Sequence, residues 1–219
     1  LKRDYFDKGY LVLRQALEQD TIKSLDRMIE ELIDRAISGR FKMKWLDKER
    51  ALPRPRVQLD GLIDCHSRIY EPYCGRWLLD EVLPLAESLL GGRASCKSFG
   101  MLFHGEETRL EPKDGGWHRD GGGMSKSPYT TEALAQDALR SCSFHAPLKP
   151  EDNFHQLVPG THVSPSEREE GDPSHPQIAL QELVTIVLNP GDLLFRHAKI
   201  LHRGFPQARR ERRTFVGDF

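Results

Sequence analysis

A histidine and an aspartate two positions apart, His118 and Asp120, stand inside the glycine-rich segment GGWHRDGGG. On an extended strand, residues i and i+2 point to the same face. This spacing aims an imidazole and a carboxylate at one point, as shared metal ligation requires. The flanking glycines leave room for a bound molecule close to the backbone. The alternative is a surface turn with an incidental histidine and aspartate, because short motifs often match by chance.

Two further histidines, His197 and His202, follow a tight turn and an apolar strand in the segment NPGDLLFRHAKILHRG. Two histidines and one carboxylate on one face of an octahedral metal form the ligand set of non-haem Fe(II) oxygenases. That set leaves coordination positions open for a co-substrate and oxygen. Zinc hydrolases use similar ligands, but zinc sites usually stay four-coordinate with one open position. The pattern therefore favours iron, with either histidine available as the third ligand.

Short strand-like runs after Gly92 must position these residues. Turn signals separate the runs, among them Pro159-Gly160 and the segment 189–192. Several short strands with turns between them predict an antiparallel sandwich or barrel. The runs are SFGMLF (98–103), SCSFHAPL (141–148), FHQLV (154–158), LVTIVL (183–188), LLFRH (193–197) and RTFVGDF (213–219).

The first 92 residues are predicted to be mostly helical. Apolar residues recur at helical spacing from Thr21 to Ser38, with Asp20 placed to cap the start and Gly39 to end the helix. A second helical stretch runs from 75 to 90, and Pro84 should break or restart it. Helices first and strands later argue against a Rossmann-type fold.

The bulk composition is that of an ordinary globular protein. Lys+Arg of 32 against Asp+Glu of 33 gives a net charge of −1, which argues against a protein built to bind nucleic acid or an anionic membrane. No apolar run reaches the ~20 residues of a membrane helix, and no signal-peptide pattern is present. No two of the 4 cysteines have CxxC spacing, which favours free thiols in a reducing cytosol over a metal or disulfide site. We therefore expect a cytoplasmic protein with one domain over residues 1–219.

Together, the segments WHRD, LVPGTH (157–162), GDLLFRH, LHRG and a later arginine-bearing strand resemble the phytanoyl-CoA dioxygenase family of Fe(II)/2-oxoglutarate-dependent oxygenases. The resemblance implies a double-stranded β-helix (a cupin-like jelly roll) as the core over 93–219, flanked by the helical segment 1–92. It also implies that His118 and Asp120 are the proximal metal ligands and His202 the distal one. His197 falls where the family often has a histidine that does not bind metal.

The same resemblance implies a co-substrate arginine. The family holds the far carboxylate of 2-oxoglutarate with an arginine eleven residues beyond the distal histidine, which is Arg213 here. The planar guanidinium fork suits a carboxylate. Arg212 is the rival if the strand register slips by one residue, and a solvated basic cluster is the non-functional alternative. His104 is a candidate second cofactor-binding residue, with a surface or structural histidine as its alternative.

These features predict an enzyme that uses Fe(II) and 2-oxoglutarate to oxidise a small molecule by hydroxylation, desaturation or oxidative cyclisation. Polar residues around the loop 121–127 suggest a polar natural product of secondary metabolism, such as antibiotic biosynthesis. Two alternatives remain open: a non-catalytic metal-binding jelly roll, and a demethylase acting on nucleic acid or protein. Near-neutral charge and the lack of an obvious aromatic stacking platform count against nucleic acid as a partner.

Overall fold

A computed structural model describes residues 2–40, 43–45, 57–59, 61–62, 72–105, 117–120, 141–163, 183–204 and 210–219. The loop 121–127, singled out above, lies outside these residues. The helices are α1 (Lys2–Lys8), α2 (Gln19–Ile37), α3 (Pro72–Trp77), a π-helical turn (Leu78–Val82) and α4 (Leu83–Leu90). The strands are β1 (Tyr10–Leu13), β2 (Met43–Trp45), β3 (Val57–Leu59), β4 (Ser98–His104), β5 (Cys142–Pro147), β6 (Asp152–Val158), β7 (Val184–Leu188), β8 (Leu193–His197), β9 (Leu201–Gly204) and β10 (Arg212–Asp218).

The strands form two antiparallel sheets. The major sheet has the order β1-β8-β5-β10-β4-β3-β2, and the minor sheet has the order β7-β6-β9. Strands that follow each other along the chain, such as β5 and β6 or β7 and β8, alternate between the two sheets. This arrangement is the predicted jelly roll, and each strand predicted after Gly92 is present within two residues of its expected bounds.

One face of the major sheet packs against helices. The apolar stripe predicted for α2 is buried there, together with alternate residues of the sheet strands. Because alternate residues point to opposite faces, β8 places Leu193, Phe195 and His197 on this helix-side face and Leu194 and Arg196 on the other. The helix-side core includes Ile22, Leu25, Ile29, Phe99, Met101, Phe103, Phe144, Phe195 and Phe215.

The other face of the major sheet meets the minor sheet. A small apolar cluster joins Leu194 of the major sheet to Leu157 and Ile186 of the minor sheet. Polar residues also meet across this interior: the rings of His145 and His155, one from each sheet, have centroids 4.6 Å apart. The interior is therefore partly polar, which is expected where a jelly roll carries a binding site.

The helix ends confirm most of the sequence signals. Gly39 and Gly91 follow α2 and α4 with a φ of +76° each, the left-handed conformation that ends helices. Pro84 lies in the first turn of α4, so it restarts the helix as predicted. The capping role predicted for Asp20 is wrong: Glu18 occupies the N-cap, and Asp20 lies in the first turn, where a carboxylate still interacts favourably with the helix dipole.

The segment before residue 93 is less helical than predicted. β1, β2 and β3 come from it and extend the major sheet at its two ends, where β1 pairs with β8 and β3 pairs with β4. Strands of 3 or 4 residues are too short to display a clear two-residue period. No helix in the part of the chain that the structure describes is long and apolar enough to cross a membrane.

Candidate metal centre

Two of the predicted ligands are joined by backbone pairing. His118 forms an isolated antiparallel bridge with His202 of β9, and each backbone N–H donates to the other residue's carbonyl oxygen, at 2.9 and 3.0 Å. The two imidazole rings consequently lie close together, with centroids 4.3 Å apart and planes tilted by 54°. The proximal histidine is therefore attached to the minor sheet beside the distal one.

Asp120 is held by hydrogen bonds to the end of β8 in the major sheet and to the turn that follows β8. Its backbone N–H donates to the carbonyl of Ala198 at 2.8 Å, and Lys199 Nζ donates to its carbonyl oxygen at 3.0 Å. Arg196 donates to its Oδ2. Asp120 Oδ1 then lies 3.7 Å from His118 Nε2 and 3.6 Å from His202 Nε2. One ligand atom from each of the three residues lies within 4.8 Å of the others.

Two of the three donor groups, those of His202 and Asp120, are in the protonation state that a metal requires. Ile200 O accepts a hydrogen bond from His202 Nδ1 at 2.9 Å, which leaves Nε2 unprotonated toward the cluster. Burial is the largest cause that lowers the pKa of His202 well below its ordinary value, and Arg196 adds to it. Burial alone would raise the pKa of Asp120, but Arg196 and His202 lower it to about 2. A neutral imidazole at His202 and an ionised carboxylate at Asp120 fit Fe(II).

His197 lies on the opposite face of the major sheet. It is fully buried on the helix side, where its Nδ1 accepts a hydrogen bond from the backbone N–H of Lys199 at 3.0 Å. Its ring packs near Tyr5 and His162 at centroid distances of 6.4 and 5.3 Å. The structure therefore brings His118, Asp120 and His202 together and leaves His197 outside that cluster.

The structure places Arg213 on the helix side of β10, away from the metal cluster. Its Nη1 pairs with Asp26 Oδ1 at 2.9 Å, its Nη2 with Glu30, and its Nε with Glu211. A carboxylate thus pairs with each of the three guanidinium nitrogens, and two of these carboxylates lie on α2. A 2-oxoglutarate carboxylate beside the interior metal would not meet this side chain, so its placement argues against the predicted cofactor role.

Arg212, the rival considered above, points into the interior. It is buried, with Nε 3.1 Å from Asp152 Oδ2 and 3.2 Å from Thr214 Oγ1, and its guanidinium lies 4.9 Å from the centre of the Phe154 ring. No residue in the described part of the chain accepts a hydrogen bond from its two terminal nitrogens. The one-residue difference reverses the face because strand side chains alternate.

Three further buried histidines belong to the interior, and only one of them, His104, was a site candidate from the sequence. His145 and His155 are buried between the sheets, and burial is the largest cause that lowers the pKa of both well below the ordinary value. The His155 ring lies 5.3 Å from that of His202. His104 is buried at the end of β4, directly opposite Arg212 in the register. Strand parity could have identified His145, since it lies in the predicted strand 141–148.

The family follows from the sequence and agrees with this geometry. A profile of the phytanoyl-CoA dioxygenase family matches residues 5–214 of the chain. The chain belongs to the phytanoyl-CoA dioxygenase family. Membership confirms the predicted family and the predicted class of enzyme, a non-haem iron dioxygenase that uses 2-oxoglutarate. No functionally curated protein matches the sequence.

Solved structures of this fold include proteins of natural-product pathways. AviO1 from Streptomyces viridochromogenes Tue57 superposes with a TM-score of 0.71 at 18% identity, covering 99% of this chain and 91% of that one. SnoN, a non-haem alpha-ketoglutarate-dependent epimerase from nogalamycin biosynthesis, gives 0.66 at 18% identity, covering 100% and 80%. EctD from S. alaskensis with 2-oxoglutarate and 5-hydroxyectoine gives 0.67 at 16% identity, covering 99% and 73%. At these identities the likeness establishes the fold.

Proposed function

We propose that this protein oxidises a polar small molecule with Fe(II) held by His118, Asp120 and His202. The observation that carries the proposal is the convergence of Asp120 Oδ1 with the Nε2 atoms of both histidines, at 3.7 and 3.6 Å. When bound, Fe(II) would supply the oxidising chemistry with O2 as the oxidant: one oxygen atom would go to succinate as 2-oxoglutarate loses CO2, and the other would oxidise the substrate. The protein's own residues hold the metal, orient the co-substrate and place the substrate.

Arg212 is proposed as the partner of the far carboxylate of 2-oxoglutarate, in place of Arg213. Asp152 and Thr214 hold its Nε, which fixes the plane of the guanidinium. The two terminal nitrogens form the fork that a carboxylate accepts in a two-pronged manner. His104 faces Arg212 across β4 and β10, so it would line the same pocket.

His145 and His155 would line the site between Arg212 and the metal, since their rings lie 4.6 Å apart and that of His155 lies 5.3 Å from that of His202. In the register of the major sheet, His145 lies opposite Val216 of β10, four residues along the strand from Arg212. Both imidazoles are neutral at physiological pH because burial lowers the pKa of each. Neutral imidazoles offer hydrogen bonds to the co-substrate without competing with Arg212 for its negative charge.

A polar substrate is favoured by a row of polar residues that begins beside Asp120 and ends at the exposed Ser98. The register places Arg196 opposite Ser143, Ser143 opposite Asp218, and Asp218 opposite Ser98. The hydroxyls of Ser143 and Ser98 donate to the two oxygens of Asp218, at 2.6 and 2.5 Å. Such a row suits a hydroxylated molecule better than a fatty acyl chain, because an acyl chain would remove water from these polar groups without offering a hydrogen bond. Structural relatives from nogalamycin biosynthesis support a natural-product pathway.

The decisive experiment measures substrate-dependent succinate release. Iron-loaded protein is incubated with 2-oxoglutarate and a panel that includes hydroxylated natural products, amino-acid derivatives and fatty acyl-CoAs. We expect succinate formation to be stimulated by a hydroxylated compound and to vanish in His202→Ala. Stimulation by acyl-CoAs alone would contradict the substrate class, and no consumption of 2-oxoglutarate would contradict the function.

A further inference from the structure

Arg196 is a buried cation beside the metal cluster, and the proposed function gives it no role toward the metal. It lies on the interior face of β8 and is 6% exposed. Its Nη2 donates to Asp120 Oδ2, and its Nε donates to His145 Nε2 at 3.4 Å. A buried guanidinium costs desolvation free energy unless it is paired, and here its main partner is one oxygen of a metal-binding carboxylate.

The contact with Arg196 gives the two carboxylate oxygens of Asp120 different partners. Oδ2 is bound to Arg196, whereas Oδ1 is the atom that approaches both histidine Nε2 atoms. The backbone of Asp120 is fixed independently by Ala198 and Lys199. The position of the residue is therefore set by its backbone, and the rotation of the carboxylate is set by Arg196.

We propose that Arg196 is a positioning residue that restricts Asp120 to binding the metal through Oδ1 alone. A carboxylate can bind a metal through one oxygen or two. Two histidines and one carboxylate oxygen leave three of six octahedral positions open. Three positions are enough for a co-substrate that binds through two atoms and for oxygen. If Asp120 bound through both oxygens, only two positions would stay open. Arg196 therefore preserves the position on which the reaction depends, and the inference rests on the metal site of the proposed function.

The test counts the open positions directly. Mn(II) replaces iron, and the broadening of its electron paramagnetic resonance lines in ¹⁷O-enriched water gives the number of bound waters. We expect three waters in the wild-type protein and two in Arg196→Met, which has a similar stem but no donor. Arg196→Lys keeps a cationic donor and should keep three. The Mn(II) affinity of Arg196→Met should be equal or tighter, while its affinity for 2-oxoglutarate falls at least roughly tenfold.

A matched control removes another arginine–aspartate pair. Arg14 pairs with the buried Asp192 at 2.7 Å, near the other end of β8, and Arg14→Met should keep three waters and the wild-type affinity for 2-oxoglutarate. A merely structural role of Arg196 would instead weaken binding of both metal and 2-oxoglutarate. If Arg196→Met bound three waters, the inference would be overturned. Any loss of affinity for 2-oxoglutarate would then come from the loss of a direct contact between Arg196 and the co-substrate.

The wild-type protein provides a second measurement that does not depend on a folded variant. With ¹³C-labelled aspartate, the metal-induced infrared difference spectrum separates carboxylates bound through one oxygen from those bound through two. A signal for binding through two oxygens overturns the inference while leaving the metal site intact. Protein that binds no Mn(II) overturns both the inference and the proposed function.

Discussion

Arg212 and Arg213 are consecutive residues at the start of β10, yet their side chains lie on opposite faces of the major sheet. Arg212 reaches Asp152 in the interior, and Arg213 reaches Asp26 on α2. Among the described residues, none accepts a hydrogen bond from the two terminal nitrogens of Arg212. Arg213, in contrast, is bound by three carboxylates. Arg213 therefore attaches α2 to the sheet, and we propose that Arg212 binds the co-substrate.

Replacing Arg212 with lysine should weaken the binding of 2-oxoglutarate. The change keeps the charge but loses the two-pronged geometry, at a cost of about 1.5–3 kcal/mol, or roughly ten- to hundredfold in affinity. Anaerobic titration of 2-oxoglutarate into the Fe(II) protein, followed by its charge-transfer absorption, measures the effect. Arg213→Lys is the matched neighbour and should bind 2-oxoglutarate normally; the reverse result would restore the original prediction for Arg213.

Replacing Arg213 with leucine should destabilise the fold without changing the binding of metal. Asp26, Glu30 and Glu211 would be left close together without their shared cation. Because these carboxylates are partly exposed, with side-chain exposures of 19–39%, we expect a loss of about 1–3 kcal/mol in the free energy of unfolding rather than the larger cost of a fully buried pair. Urea denaturation measures it, and Lys23→Met, which breaks an exposed pair with Asp20, should cost almost nothing.

Replacing any one of His118, Asp120 and His202 with alanine should abolish turnover and weaken Fe(II) binding by at least about tenfold. A set of three ligands has no spare member, and none of these side chains belongs to the apolar core. Isothermal titration with Fe(II) under anaerobic conditions gives the affinity. His197→Gln is the control, because His197 lies on the other face; loss of metal in that variant but not in His202→Ala would refute the choice of distal ligand.

The metal-free protein should lose stability as the pH falls below about 6.5. Folding lowers the pKa of His145 and His155 well below the ordinary value, so in this range the unfolded chain takes up protons that the folded chain does not. Stability is then fully present above ~6.5 and declines by up to ~1.4 kcal/mol per pH unit for each such histidine. Urea denaturation at pH 7, 6 and 5 measures the slope.

The double variant His145→Gln, His155→Gln is the control for this slope. Glutamine does not titrate, so the free energy of unfolding should vary less steeply with pH than in the wild-type protein. Equal slopes in the two proteins would mean that the buried histidines are not the groups responsible.

The cluster of His118, Asp120 and His202 was predictable because local spacing encodes it. His118 and Asp120 need only an extended backbone to share a face, and the turn and strand before His202 are visible as Asn189 to His197. The jelly roll was predictable for the same reason, since its strands are separated by clear turn residues. Family resemblance then selected His202 over His197, which local pattern alone had left open.

The co-substrate arginine was not predictable in the same way. Whether Arg212 or Arg213 faces the interior depends on how β10 pairs with β4, and a shift of one residue exchanges the two faces. Arg196 and Asp120 are 76 residues apart in the chain, so nothing in the local sequence links them. Such contacts arise from sheet topology, which a sequence pattern does not specify.

The short segment 117–120 joins the two sheets: His118 pairs with β9, while Asp120 is bound to the end of β8 and the turn after it. The three ligands can therefore meet only after strands distant in sequence have already paired, and the loop closures required for that pairing are slow and entropically costly. Iron should consequently bind late in folding. It should therefore change the refolding rate very little and slow unfolding. A chelator added to folded protein should then shorten its lifetime against proteolysis without altering its refolding rate.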